Sequence, residues 1–499
     1  MKSILRGVAI VALAAAGPLA AQGYRVRIDT RFQGVSFRGV QLDSILASDT
    51  VTGQGGGPAT PDGYAVNCAP GDAYCTFFRA GPRRFGAPLV TTADVSAWGF
   101  GLRGLSVHAS ARLGVDLGNS AVWPGTEPTG QLLAGLLEYT VERVTARVGR
   151  QVEYSRLGTT GFDGATITLR VPRHSLDLTG YAGWGLARGV ALPVTSPALN
   201  PIDDFQPRRR QVVAGLEAGW TAAVADARVV YQREVDPRSE YFVSERVGLT
   251  AAVRPAAGWT IASGADYDLA AGWWGSAELS LAYATRSVTA SIEARRYRPH
   301  FDLWTIWGAF SPVPYRSVRG SVTVRAMPQL QLHARGERYQ FDPADVATPL
   351  VTFERDGWRG ELGATVQPAD GWTLDAGYTR EFGPGAASVG TDASITYAPA
   401  ENYRVSVRGS SLDRPLEFRF SESAVTTFGV AASADVSERL RISLDAARYA
   451  ENRRRPDAAA FDWSQWRISA GVVVLFARGG DLGNLPPAVR RMPGGRNER

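Results

Sequence analysis

The sequence predicts an all-β fold: a transmembrane, antiparallel, up-and-down β-barrel of about 22 strands, within a range of about 18–24. Three observations predict it. Apolar and polar residues alternate along nearly the whole 499-residue chain with no helical segment between, and a period of two belongs to extended strands. The alternating segments run about 11–13 residues, against about 5–6 for strands of globular proteins. The breaks between them are short and long by turns, as periplasmic turns and external loops are in outer-membrane barrels.

The segment Tyr315–Phe341 shows the unit most plainly. Val318, Gly320, Val322, Val324 and Ala326 form one row, and Arg319, Ser321, Thr323 and Arg325 the other. After a Met327-Pro328 break, Leu330, Leu332, Ala334 and Gly336 alternate with Gln331, His333, Arg335 and Glu337. That is a hairpin with one apolar and one charged face. Mean hydropathy is −0.12, and no stretch beyond the N-terminus is long and apolar enough to cross a bilayer as a helix. A barrel hides its lipid face in alternate positions, so modest hydropathy is compatible with a membrane protein.

In chain order, residues 1–21 read as a secretory signal peptide. Lys2 and Arg6 precede the apolar run Val8–Ala16, and Leu19-Ala20-Ala21 precedes Gln22 as a small-residue cleavage site. Lys2 is the sole lysine, so every other fixed cation is arginine, whose planar fork binds carboxylate and phosphate at two points. The barrel is expected over 22–476. Tyr24–Leu42 alternates and forms the first strand, with a phase change at Gly34 read as a bulge. Residues 44–88 are rich in Gly, Pro and Thr and read as a long external loop. An exported chain meets oxidising conditions, so Cys68 and Cys75 are expected to form a disulfide there.

Further strands are expected near 89–100, 104–117, 131–142, 144–154, 164–171, 175–187, 208–223, 227–236, 240–254, 258–270, 273–285, 287–298, 314–326, 329–341, 356–368, 372–382, 387–398, 402–412, 424–436, 440–450 and 463–476. Trp273, Trp274, Trp304, Trp307, Trp358, Trp372, Trp463 and Trp466 lie near strand ends, where amphipathic rings suit the membrane interfaces. The last strand carries Trp466, Ile468, Ala470, Val472 and Val474 on one side and ends on Phe476. It resembles the C-terminal strand of outer-membrane proteins, except that 477–499 follow it. That Gly-, Pro- and Arg-rich tail is expected to be disordered in the periplasm.

With the apolar rows facing lipid, Arg147, Arg228, Arg246, Arg295, Arg319, Arg325, Arg335, Arg359, Arg404, Arg408 and Arg441 face the lumen as candidates for charge selection. The competing reading of each is a cross-link to a wall carboxylate. The loop 188–207 holds Asp203 and Asp204 just before Arg208, Arg209 and Arg210; folded inward, these five would form a constriction. Arg150 stands in an apolar row, which a register change after Gly149 or an interfacial position would explain.

Val148-Gly-Arg-Gln151 followed by Gly161-Phe-Asp-Gly164-Ala resembles the strand–loop–strand segment of alginate-export and related porin-type barrels. The resemblance implies passive passage of an anionic or carbohydrate solute. No Gly-x-Ser-x-Gly or His-Glu-x-x-His motif is present. Ser106 and His108 lie two apart on one strand, a lipase-like pair without an identifiable third member. No zinc spacing, phosphate-cradling loop or nucleic-acid module occurs, so neither metal, cofactor nor nucleic acid is expected.

The expected function is therefore a non-enzymatic, porin-like channel for small solutes, anionic or carbohydrate, in the outer membrane of a Gram-negative-type bacterium. Its expected partners are outer-membrane lipid, lipopolysaccharide, the barrel-assembly machinery and those solutes. The alternatives are a structural or adhesive barrel closed by its own loops, and a barrel lipid hydrolase. An actively driven receptor is disfavoured, because 22–88 is too short for a plug domain.

Overall fold

The computed structural model describes residues 23–53, 56–118, 130–186, 211–235, 237, 243–298, 314–342, 355–383, 386–416, 421–453 and 463–478. The expected signal peptide, the constriction loop with Asp203, Asp204 and Arg208–Arg210, the residues Trp304 and Trp307, and nearly all of the C-terminal tail lie outside them.

Twenty-two strands close into one antiparallel barrel. They are β1 (Gly23–Leu46), β2 (Pro88–Trp98), β3 (Leu105–Asp116), β4 (Gly130–Val141), β5 (Val144–Ser155), β6 (Gly158–Val171), β7 (Leu176–Gly185), β8 (Val212–Thr221), β9 (Ala225–Val235), β10 (Val243–Val253) and β11 (Trp259–Asp268). There follow β12 (Trp273–Ala284), β13 (Val288–Tyr297), β14 (Tyr315–Met327), β15 (Leu330–Phe341), β16 (Asp356–Val366), β17 (Trp372–Gly383), β18 (Ala386–Ala400), β19 (Tyr403–Leu416), β20 (Ser421–Ser437), β21 (Leu440–Arg453) and β22 (Trp463–Arg478). Each strand pairs with its sequence neighbours. β22 returns to β1, with Tyr24 opposite Arg478 and Val35 opposite Arg467. Closure of β22 on β1 removes the sheet's end edges, so along the paired wall the ladder satisfies the backbone without water. The even count sets both ends of the barrel chain on one side, beside the short turns such as Glu142-Arg143 and Pro328-Gln329.

β1 is 24 residues long, about twice the 9–11 residues that cross a bilayer. Its first part pairs with β2, Gly23 opposite Trp98 to Phe32 opposite Leu89. Its upper part pairs with a further strand, Tyr74–Gly86, from Val35–Gly86 to Leu46–Tyr74. Within the segment expected as loop 44–88, then, Tyr74–Gly86 is a strand, and the two form an arm extending past the barrel. Cys68 and Cys75 are joined as expected, with Cα atoms 4.4 Å apart. The irregularity in β1 lies between Arg38 and Val40 rather than at Gly34. Alternation continues through Gly34, and Val35 is fully buried on the row shared with Arg467.

The two rows of every strand separate as expected. Leu137, Val148, Ile167, Leu216, Leu249, Leu279, Ile292, Val318, Leu362, Ile395, Leu444 and Ile468 are all exposed. The register joins them laterally, as in the run Ile395–Val407–Val430. Apolar side chains exposed on each strand from β3 round to β22 form the face that meets hydrocarbon. Trp220, Trp259, Trp273, Trp274, Trp358, Trp372 and Trp466 stand exposed toward strand ends, the positions that interfacial rings favour.

Leu279 lies at the middle of β12 and is 56% exposed on the outer face. Leu279→Arg is expected to destabilise folding into lipid vesicles by about 2–4 kcal/mol. Denaturant titration of the vesicle-inserted protein measures this. An unchanged midpoint would remove the outer row from the hydrocarbon.

A hairpin folded across the lumen as candidate functional site

The upper part of β5 and β6 leaves the wall. β4 and β5 pair only from Val141–Val144 up to Gly135–Arg150. Beyond Arg150, β5 continues to Ser155 with β6 alone beside it. β6 stays attached to β7 down from Phe162–Gly185. The departure occurs at a rung of three glycines, Gly149, Gly164 and Gly183, which face one another across β5, β6 and β7. Gly149 has φ +129°, a conformation that side chains resist. A Cβ there would sit 2.2 Å from the Gly135 carbonyl oxygen, and one at Gly164 would sit 2.1 Å from that of Ala182. The backbones approach too closely at this rung for any residue but glycine.

The tip then reaches strands several places further round the barrel, which it can do only through the lumen. Arg156 Nη1 donates to Glu278 Oε1 at 2.5 Å and Nη2 to Ser276 Oγ at 2.6 Å, both on β12. Its Nε lies 3.7 Å from Asp266 Oδ1 on β11, and the Ser276 hydroxyl donates to the same carboxylate. Gly248 and Gly264 leave the space the arginine fills, since a Cβ at either would come within 3.1 Å of it. Next to it, the Leu157 carbonyl accepts from Arg246 Nη1 at 3.2 Å. Lower down, Gln232 Oε1 accepts from Thr160 Oγ1 at 2.9 Å and from Tyr181 OH at 3.0 Å, while its Nε2 donates to Glu234 at 2.7 Å. Phe162 stacks on Tyr181, ring centres 5.4 Å apart, and with Val213 forms an apolar cluster beneath the hairpin.

This placement fixes which face is inside, because every partner of the hairpin lies on the polar row. All eleven predicted arginines occupy that row. Six have carboxylate partners. Arg147 meets Glu138 at 2.8 Å and Glu153 at 3.5 Å, Arg228 meets Glu217 at 3.3 Å, Arg359 meets Glu337 at 2.8 Å and Arg408 meets Asp445 at 3.0 Å. Arg319 pairs with Glu293, and Arg441 with Asp435. Arg246 is buried under the hairpin. Arg295 lies 4.4 Å from the centre of the Tyr297 ring. Arg325, Arg335 and Arg404 are exposed, with no ion pair recorded among the described residues.

Arg150, anomalous in the sequence, bonds Asp163 with Nε and Nη2 at 2.7 and 3.0 Å and the Leu132 carbonyl at 2.8 Å. Both partners belong to the bend. Arg156 itself was not foreseen. A local signal existed in Ser155-Arg-Leu-Gly158, a two-residue turn with Gly158 at φ +112°, but nothing local points to Glu278.

Polar side chains on β3 to β12 are largely buried, among them Ser106, Glu138, Gln151, Thr166, Gln232, Glu234 and Asp268. From β14 to β21 the inward arginines 325, 335, 359, 404, 408 and 441 are exposed. Among the described residues, the hairpin therefore fills one side of the lumen and leaves the inward arginines of the other side uncovered. Ser106 and His108 belong to the filled side. The Ser106 hydroxyl and His108 Nε2 are 3.0 Å apart, and Nδ1 is 3.0 Å from the Ser96 hydroxyl. The pair is buried and turned away from lipid, and its third member is a hydroxyl rather than a carboxylate.

Comparison with solved structures agrees with this architecture. The ferric enterobactin receptor PfeA of Pseudomonas aeruginosa aligns with TM-score 0.50 at 11% identity, over 90% of this chain and 81% of that one. The chain has the fold of an outer-membrane β-barrel. A BenF-like porin from Pseudomonas fluorescens aligns with TM-score 0.39 at 10% identity, over 91% of this barrel and 99% of the other chain. OccK3 (OpdO) of P. aeruginosa aligns with TM-score 0.37 at 10% identity, over 91% and 96%. No family model and no curated protein matches the sequence, so the likeness of Val148–Ala165 to alginate-export barrels has no family match behind it.

Removing the Glu278 carboxylate leaves the part-buried Arg156 guanidinium short of its closest partner, a loss of about 1–3 kcal/mol. Glu278→Ala is therefore expected to speed amide hydrogen exchange over Gln151–Gly161 by about tenfold or more, with β14 to β22 unchanged. Equal exchange in both proteins would show that the ion pair does not hold the hairpin.

Proposed function

We propose that this barrel is a porin-like passive channel for small polar solutes of the carbohydrate class. The observation that carries the reading is the division of the lumen: the hairpin occupies one side, and the inward row of the opposite wall is exposed. A barrel of this size without an internal element would be far wider than a small solute, and one filled all round would conduct nothing. The one inward hairpin among the described residues gives the intermediate condition, a narrowed aqueous path.

The wall chemistry favours weak charge selection. Six of the eleven candidate arginines have carboxylate partners. A paired guanidinium projects little net field into the path, so the pairing supports passage of neutral polar solutes over strong selection for anions. Hydroxyls of Ser321, Thr323, Thr379 and Ser410 alternate with the ion pairs and supply exchangeable hydrogen bonds.

Reconstituted into planar bilayers, the protein is expected to give stable unitary currents with an anion-to-cation permeability ratio on the order of one. Arg156→Ala is expected to raise conductance and current noise by freeing the hairpin. Proteoliposomes are expected to swell in small neutral sugars. No swelling and no unitary current would overturn the channel reading in favour of a closed barrel.

A further inference from the structure

We propose that a recess in the open wall is a binding subsite for small zwitterions, solutes that carry a carboxylate and an ammonium on the same carbon. The inference rests on the channel reading for solute access and goes beyond its solute class. The recess has a volume of about 290 Å³ and is lined by Arg335, Glu337, Arg359, Glu361, Arg380 and Glu381, among others. Arg335, Arg359, Glu337, Glu361 and Glu381 stand on the inward row there, while Arg380 lies on the outward row beside Trp358, so cations and anions meet in the recess side by side.

Two adjacent rungs of the ladder build it. One sets Arg335 opposite Glu361. The other runs Glu337–Arg359–Glu381, and its members are already engaged. Arg359 bonds Glu337 at 2.8 Å, and Glu381 accepts from Tyr339 OH at 3.0 Å. Arg380 lies 5.8 Å from the centre of the Trp358 ring.

Arg335 and Glu361 are not so committed. Arg335 is exposed, and no hydrogen bond or ion pair is recorded for it among the described residues. Glu361 has His333 Nε2 at 3.6 Å, too long for a hydrogen bond, and its side chain is 41% exposed. Directly opposite residues stand with Cβ atoms about 4.5–5.5 Å apart. Two long side chains rooted that close present a cation and an anion side by side to the path. The guanidinium takes a carboxylate at two points, and the Glu361 carboxylate accepts from an ammonium next to it. A plain anion satisfies the first group and meets repulsion from the second.

The test uses the full-length barrel in a planar bilayer in potassium chloride, with L-alanine, acetate and methylammonium added in turn. L-alanine is expected to reduce the open-channel current saturably, at a concentration at least about tenfold below that needed for either single ion. Arg335→Gln is expected to abolish the effect of alanine and acetate alike. Glu361→Gln is expected to leave acetate effective and bring alanine level with it. Thr427→Ala, an inward change away from the recess, is expected to change neither. Equal potency of acetate and alanine on the unaltered protein, or alanine block that survives Arg335→Gln, would overturn the subsite. Absence of any current would instead count against the channel. Saturation-transfer NMR of alanine on the detergent-solubilised barrel then decides the subsite: a signal lost in Arg335→Gln supports it, and no signal overturns it.

Discussion

A strand inside a bilayer cannot leave its amides and carbonyls unpaired, and every other feature of this barrel follows from how that requirement is met. Along the wall it is met by closure, with Tyr24–Val35 laid against Arg467–Arg478. Where β5 leaves β4 above Arg150, the requirement persists and only one direction is open. Turned outward, the freed edge would face lipid with nothing to bond. Turned inward, it meets water and the polar row of the far wall. The hairpin lies in the lumen because the lumen is the only place at that depth where an unpaired edge is tolerable.

The side chains at the bend and at the tip answer the same constraint. A guanidinium brought into a crowded interior loses hydration and needs partners. Arg156 finds two carboxylates and a hydroxyl in a space that Gly248 and Gly264 leave clear. Arg150 finds Asp163 at its own register position and a carbonyl of β4. Each arginine joins the hairpin to a different part of the wall, one at the base and one at the tip. A segment fixed at both ends is a fixed partition.

The sequence made the barrel legible because its code is local and repeats at every strand. Alternation identified the strands. Period alone placed the eleven arginines on the polar rows. What was hidden depends on pairs distant along the chain. Whether Arg359 is a free cation is decided by Glu337, and Arg156 is explained only by Glu278, 122 residues away. Long-range partners of this kind leave no mark on a single sequence. The bend was half visible: Val148–Gln151 and Gly161–Ala165 stood out as a segment, and Arg150 stood out as an anomaly, but their common cause is a hairpin that changes sides.

The outer arm shows the same rule from its other side. Beyond the barrel rim Val35–Leu46 pairs with Tyr74–Gly86, and only the short strand Val66–Asn67 adds to that ribbon, at Phe77 and Thr76, in water, where an open edge carries little penalty. Leu42 faces Phe78 and Leu46 faces Tyr74 across that ribbon, all four exposed. The outward phase of the barrel thus runs on past the point where lipid ends. Alternation alone could not separate arm from wall, because one continuous strand belongs to both. Length is the discriminating quantity, since 24 residues exceed any single crossing of a bilayer. The hydrophobic pattern sets which side of a strand is apolar, while the surrounding medium determines whether its edges must be covered.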